Sequence, residues 1–325
     1  MVNVKAKQPI ETESGIKLAR SVIPFMKYRI PGYIFSLAVI AISLFFVVTK
    51  GFNWGLDFTG GTVIEASFSQ PADLPKVRSA LAENDFGSAV VQASGGTRDV
   101  MIRLPSEDGD TTIGPKVINI LQSIDAQSTV RSIEFVGPNV GKELTEAAIY
   151  ATLVTLIMLL LYVGLRFEWR LGAGGILALA HDVIVTLGVF AALQIEIDLT
   201  FVAAILSVIG YSLNDSIVVF DRIRENFRKI RRTAAQDIMD ISLTQTLART
   251  LMTSATTLVV VLALYIWGGP SIHNFSLALL IGIGFGTYSS IYIATALALD
   301  LGLTREHMLP PKVEKEGEDQ EAIMP

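Results

Sequence analysis

Apolar positions in this chain gather into long unbroken runs instead of alternating with polar ones. A helix needs about 20 such residues to cross a bilayer. Six runs reach or approach that length: residues 32–49, 147–167, 171–193, 199–220, 244–267 and 275–301. The pattern predicts an α-helical polytopic membrane protein with six transmembrane helices. Between the first two runs the rhythm changes. "TVIEASF" (62–68), "AVVQAS" (89–94), "DVMIRLP" (99–105) and "VRSIEFVGP" (130–138) have strand composition, and "GGTR" before the third is a hairpin signal. "LPKVRSALAENDF" (74–86) places Leu74, Val77 and Leu81 on one helical face, and "IGPKVINILQSI" (113–124) is helical too. The order β-α-β-β-α-β predicts a small α+β ferredoxin-like domain. That fold hosts many functions and specifies no reaction.

The expected organisation is an N-terminal arm (1–31), a first span (32–49), the ferredoxin-like domain (50–143), a five-helix bundle (144–302) with a basic connector at 221–243, and a polar tail (303–325). The first run reads as a retained anchor, because polar residues precede it and no small-residue cleavage site follows. Lys and Arg in short loops set orientation. Lys5, Lys7, Lys17, Arg20, Lys27 and Arg29 lie in the arm, Arg166 and Arg170 after the second span, and Arg222 to Arg232 after the fourth. Loops 194–198 and 268–273 carry no Lys or Arg. Both termini are therefore expected in the cytoplasm and the α+β domain outside it.

Composition narrows the chemistry. Hydrophobic residues make up 51% of the chain, the net charge is −5, and there is no cysteine. A thiol nucleophile, a disulfide framework and a Cys-based metal site are excluded. The three histidines, His181, His273 and His307, are scattered without metal-ligand spacing, so no metal site is expected. Charges confined to loops and ends speak against a nucleic-acid surface. "GPNVGK" (137–142) is one residue short of a phosphate loop, and Glu143 stands where Ser or Thr is required. The glycines of "GIGFG" (282–286), with Ser290 one step further on, fit close helix packing. "GLDFTGGT" (55–62) reads as a turn, with Gly60 and Gly61 permitting a bend and Asp57 bonding nearby amides.

Charge inside the spans carries most weight, because a charged group at the bilayer centre costs about 2.5–3.5 kcal/mol on insertion scales. Asp182 lies near the middle of the third span beside His181. Asp215 lies in the fourth, on a polar stripe with Ser207, Tyr211 and Asn214 at helical spacing. The fifth span offers Arg249, Thr253, Thr256 and Thr257. At 1.5 Å per residue, Asp215 and Arg249 sit roughly 9 Å and 7–8 Å deep, so the two can pair. The alternative is an arginine that snorkels to the interface. A buried carboxylate beside a cation can change protonation when helices shift, as a proton relay requires; a static ion pair that locks helices is the plainer reading.

"GFNWGLDFTGGTVIE", "SIEFVGP", "YVGLRFEWRLG", "ALAHDVIVTLG", the stretch from "EIDLTFVAAILSVIGYSLNDSIVVFDRIRENF" to "RKIRR", and "SLTQTLARTLMTSATTL" together resemble the SecD/SecF family of the resistance–nodulation–division superfamily. The resemblance runs from about residue 25 to the end. It implies a non-enzymatic subunit of the Sec translocase that works with SecD, using the proton gradient to promote preprotein export. It implies no cofactor beyond protons as coupling ion. The implied partners are SecD, the SecYEG channel, YajC, YidC, the preprotein and membrane lipid. Carried onto this chain, Asp215, Arg249 and Asn214 would serve the proton relay. Asp57, Gly60 and Gly61 form the signature at the base of the outer domain. His181, Asp182, Ser207, Tyr211 and Thr253 would give polar support. The implied place is the bacterial inner membrane. A small-molecule or lipid exporter of the same superfamily and a structural scaffold stay open as alternatives, and a homodimer would shield the buried charges as well as SecD would.

Overall fold

A computed structural model describes residues 22–94, 96–104 and 113–308. Most of the basic N-terminal arm, Gly95 of the expected hairpin and the tail beyond residue 308 lie outside the described residues. After a 3-10 turn at Phe25–Tyr28 comes α1 (Arg29–Lys50). The outer segment follows with β1 (Asn53–Trp54), α2 (Leu56–Thr59), β2 (Gly61–Ser67), α3 (Leu74–Ala82), β3 (Val90–Ala93), β4 (Asp99–Leu104), α4 (Ile113–Ile124) and β5 (Thr129–Val136). The bundle comprises α5 (Pro138–Arg166), α6 (Trp169–Leu193), β6 (Glu196–Ile197), α7 (Leu199–Lys229), α8 (Ala235–Trp267), α9 (Pro270–Ser289), a π-helical segment (Ser290–Thr295) and α10 (Ala296–Asp300). Six of these stretches are long and apolar enough to span a membrane: α1, α5, α6, α7, α8 and the α9–α10 rod.

The outer segment has the expected ferredoxin-like arrangement. Its sheet order is β3-β4-β2-β5, all neighbours antiparallel. Alternation decides the faces. Val100, Ile102 and Leu104 of β4 are buried, and they pair with Ala66, Ile64 and Thr62 of β2. With Val77 and Leu81 of α3 and Val117 and Leu121 of α4 they form the domain core. The other face of β4 carries Arg103 toward the bundle. Asp73 starts α3 by accepting the Lys76 amide at 3.2 Å, satisfying one donor that the first helical turn leaves free.

Within the bundle, α7 lies innermost, against α6, α8 and the α9–α10 rod. Phe220, Ile223 and Phe227 on α7 are buried in the main core with Phe190 of α6. Half of the apolar window of α7 is buried, against 6% for α5, so α5 presents nearly all its apolar surface outward. Three glycines set the closest approaches between these helices: a Cβ on Gly282 would strike the Val208 side chain, one on Gly174 the Ala294 carbonyl, and one on Gly188 Ser43 of α1.

Three local expectations change. "GLDFTGGT" contains a four-residue helix, α2, that closes at Gly60 and Gly61 with φ of 66° and 120°. The connector expected at 221–243 is mostly helix, leaving a break of only residues 230–234. Arg222–Glu225 and Lys229–Glu225 pairs support the extension of α7, and Arg228 and Lys229 complement its C-terminal dipole. Asn226 then donates to Ser242 Oγ and Gln245 Oε1 at 2.8 and 2.9 Å, closing α7 on α8. "GPNVGK" begins α5, with Gly137 as its N-cap residue.

Candidate functional site

Two carboxyl groups are buried inside the bundle, and neighbouring serines hold them. Asp215 is 5% exposed, and its Oδ2 accepts a hydrogen bond from Ser290 Oγ at 2.8 Å. Thr250 of α8 lies beside the same carboxyl, but its hydroxyl and that of Ser216 are buried without an aligned partner. Asp182 is 1% exposed. Its Oδ2 accepts from Ser212 Oγ at 2.6 Å and Ser289 Oγ at 2.8 Å, and its Oδ1 meets His181 Nδ1 at 2.9 Å. His181 Nε2 is buried with no partner. The rings of Phe285 and Tyr288 flank the imidazole, with centroids 6.2 and 6.3 Å away.

The two centres share their supports. Ser212 and Asp215 are three residues apart on α7, hence on one face. Ser289 and Ser290 are consecutive and straddle the change from α to π winding. A π segment adds a residue to the turn and shifts the faces of the helix, and such segments recur at functional sites. Here it lets adjacent serines reach two different carboxyls. Thr295 Oγ1 caps the segment on Ser290 O at 2.9 Å. A further hydroxyl chain lies close by: Tyr211 OH donates to Ser254 Oγ at 3.3 Å, which meets Thr287 Oγ1 at 2.7 Å.

The stripe on α8 that faces α7 is not the one expected. Arg249, Thr253 and Thr256 are exposed, and among the described residues no ion pair joins Arg249 to Asp215. The inward stripe is Thr246, Thr250 and Ser254, set one position further along, whose short hydroxyls fit a close helix contact that an arginine stem would hold apart. Asn214 and Ser207 are exposed as well, and Ser207 bonds its own helix at Ala203 O, 2.8 Å. The chain itself shields Asp182 and Asp215. Left uncovered are Arg249 and the outer faces of α1, α5 and α8.

At the outer end of α7 a second polar centre forms. The N-terminal turn of a helix offers unsatisfied amides. Asp198 takes Phe201 N at 2.7 Å, and Asp57, from α2, takes Leu199 N at 2.9 Å. Asp57 therefore caps a helix 142 positions away instead of its own turn. Beside it β1 pairs with β6 in parallel register, Asn53 with Glu196 and Trp54 with Ile197. Gly55 N donates to Ile197 O at 2.7 Å. Arg103 of β4 forms an ion pair with Glu196 at 2.7 Å and donates to Trp54 O at 2.6 Å. Burial pushes the Glu196 carboxyl above its ordinary range, against the pull of Arg103.

Sequence reasoning singled out Asp215, Asp182, His181, Tyr211 and Asp57, all of which stand in these centres. It missed Ser212, Ser289, Thr250, Arg103 and Glu196. Ser212, Asp215 and Ser216 at i, i+3, i+4 were a usable signal for the inward face.

Comparison with known proteins agrees with this architecture. Residues 116–304 match the family described as Protein export membrane protein SecD/SecF, C-terminal, and residues 45–72 match the SecD/SecF GG Motif. The chain is 67% identical over 303 residues to the Protein translocase subunit SecF of Haemophilus influenzae, covering 93% of each. It is 52% identical over 318 residues to that of Escherichia coli O157:H7, covering 97% of this chain and 98% of the relative. The crystal structure of SecDF, a translocon-associated membrane protein from Thermus, superposes with a TM-score of 0.80 at 38% identity. That match covers 86% of this chain and 39% of the SecDF chain. A second SecDF structure, in a super-membrane-facing form, matches with a TM-score of 0.65.

Proposed function

The chain belongs to the SecD/SecF family of protein export membrane proteins, and from that premise we propose that it is a proton-driven SecF-type subunit of the protein translocase. It is a multi-pass protein of the inner membrane. The likeness to SecDF, of which the match covers 39%, supports SecD as its partner. The uncovered faces of α5 and α8, with Arg249 among them, are the surfaces for that partner. SecYEG, YajC, YidC and the emerging preprotein complete the assembly. Loop charges put both termini in the cytoplasm and the ferredoxin-like domain in the periplasm.

The observation that carries the reading is the setting of Asp215. It is a buried carboxyl group inside a spanning helix that touches a hydroxyl and, among the described residues, pairs with no cation. Such a group can take up and release a proton without first breaking an ion pair. An ionisable residue in that position marks a functional site, and a proton moved through the membrane releases about 2.3 kcal/mol per 100 mV. Asp182 holds Ser289, which fixes the neighbouring Ser290 against Asp215. It acts as a positioning residue. Arg249, outside this cluster, is placed to meet the relay only from the partner side.

The test is Asp215→Asn, which keeps size and hydrogen bonding but cannot release a proton. The variant is expected to insert, assemble and lose the part of preprotein export that uncouplers abolish. Export that stays uncoupler-sensitive at the native rate would exclude the relay and leave a scaffold.

A further inference from the structure

The chain passes between the domain and the bundle at two places, after α1 at Gly51, which has φ of 67°, and before α5 at Gly137, which caps that helix without any side-chain bond. The backbone pairing of β1 with β6 and the packing of α2 on α5 seat the domain, and its charged side-chain contacts to the bundle converge on the first turn of α7. Asp57 leads through Gly60 and Gly61 directly into β2. Arg103 lies on β4, the strand paired with β2. Arg103 on β4 and Asp57, just ahead of β2, thus reach the same place, Glu196 and Leu199 N. Leu56 N also donates to Glu196 Oε1 at 3.3 Å, and Asn274 Nδ2 of α9 donates to Glu196 O at 3.3 Å.

We propose that Arg103 and Glu196, together with Asp57, form the joint through which displacement of α7 reaches the ferredoxin-like domain. The inference rests on the reading of Asp215 as the driving site. Asp215 and Leu199 lie on one uninterrupted helix, 16 residues or about 24 Å apart. A helix this regular moves as a rod, so a shift at its middle is delivered to its end. The joint is shielded, with 14% of the Arg103 side chain and 17% of the Glu196 side chain exposed, which strengthens the charge interaction. It is also unsaturated. Among the described residues, Arg103 Nε and Nη2 are both buried without an aligned hydrogen-bond partner, Nη2 despite lying 2.7 Å from Glu196 Oε2. Glu196 is opposed by its own burial and by the neighbouring carboxylates of Asp57 and Asp198. An attachment of that kind transmits force and can be remade in a second arrangement. Arg103, Glu196 and Asp57 are positioning residues, since none touches the relay.

The experiment uses the full chain with its partner in membrane vesicles. Arg103→Glu and Glu196→Arg are each expected to lower gradient-dependent export at least fivefold, about the low end of measured coupling between sites. The double exchange should recover most of that loss, which a residue that merely fills space would not. The chain has no cysteine, so Glu83→Cys in the domain and Trp267→Cys at the outer end of α8 give two unique spin labels. In the native background the distance between them should change when a proton gradient is imposed. In Arg103→Glu that change should vanish. A distance response that survives Arg103→Glu, or a double exchange no better than the single ones, overturns the joint. Asp215→Asn runs as a separate arm. If the response survives Asp215→Asn yet is lost in Arg103→Glu, the proton reading fails while the joint stands.

Discussion

Two regions of the same helix solve opposite problems. At its middle, α7 carries Asp215, satisfied by a single hydroxyl while Ser216 and Thr250 are buried without aligned partners. At its outer end, α7 is held by Asp57, Asp198, a short parallel pairing and the Arg103–Glu196 ion pair. A buried polar group with spare partners has more than one low-energy arrangement. At the helix end the amides are taken, and what can still be remade is the Arg103–Glu196 attachment beside them. One region is built to change and the other to pass the change on. The division of labour follows from how many donors and acceptors each neighbourhood supplies, since the carboxylate chemistry is the same in both.

The most drastic way to break this comparison is to unseat the π segment on which the middle of α7 depends. Gly174 of α6 lets the Ala294 carbonyl approach so closely that a Cβ there would collide with backbone, which cannot rotate away. Gly174→Val is expected to abolish stable assembly, seen as loss of the folded protein after detergent extraction. Gly210→Ala is the control, since nothing lies within 4 Å of the new methyl. Equal yields for the two variants would show that the segment is not held by this contact.

A gentler change separates holding from exchanging within the middle region. Asp182 receives three polar contacts where Asp215 receives one from Ser290. Asp182→Asn keeps only a neutral amide oxygen, a weaker acceptor, for the two serines and turns its NH2 toward His181 Nδ1, a loss of about 1–3 kcal/mol for a buried group. Ser290→Ala removes one bond, worth about 1 kcal/mol. Thermal unfolding in detergent should therefore rank Asp182→Asn below Ser290→Ala. Gradient-dependent export should suffer in both, because each frees the Asp215 carboxyl. If Ser290→Ala exports normally while Asp182→Asn does not, then Asp182 acts by a route other than the serine pair.

Much of this was legible in the chain, and the reasons for the remainder are physical. The six spans announce themselves because hydrocarbon demands about 20 apolar residues in succession. The βαββαβ order shows because β4 alternates cleanly, with Val100, Ile102 and Leu104 inward. Asp215 and Asp182 stand out because lipid makes charge conspicuous. Four features left no such trace. The β1–β6 pairing involves two residues from each segment, too few for periodicity to register. The π segment lies inside an apolar run whose composition does not distinguish α from π winding. Asp57 sits three residues ahead of a pair of glycines and reads as a turn former, since its partner Leu199 is far away in sequence. On α8, Arg249 and Thr250 are adjacent, and a rotation of 100° decides which faces inward. The charge drew attention to Arg249, while packing turned Thr250 toward the core.

The finest test of the outer joint uses pH, because one acid in it and one beyond the opposite end of β2 are displaced in opposite directions. Asp125 of the ferredoxin-like domain accepts from Ser69 Oγ and Ser69 N at 2.7 and 2.8 Å and from Gln127 N at 3.0 Å. Those bonds, the Ser69 hydroxyl foremost, hold its carboxyl below the ordinary value. Its contribution to stability is present above that ordinary value and fades as pH falls through the lowered one. Glu196 is displaced upward, chiefly by burial. Its proton-bound form suits the fold better, so its contribution is complete below the ordinary value and fades as pH rises through the raised one. Asp125→Asn should therefore lose ground to the native chain as pH rises through the acid range up to the ordinary aspartate value, and hold a constant deficit above it. Glu196→Gln should gain ground at higher pH, from the ordinary glutamate value up through the raised one. Unfolding monitored through Trp54, which lies between β4 and the bundle, reads both. Opposite slopes would place Glu196 under the burial that makes the joint releasable. Parallel slopes would mean that Arg103 outweighs burial, leaving Glu196 a permanent rivet and the domain fixed to α7 at every pH.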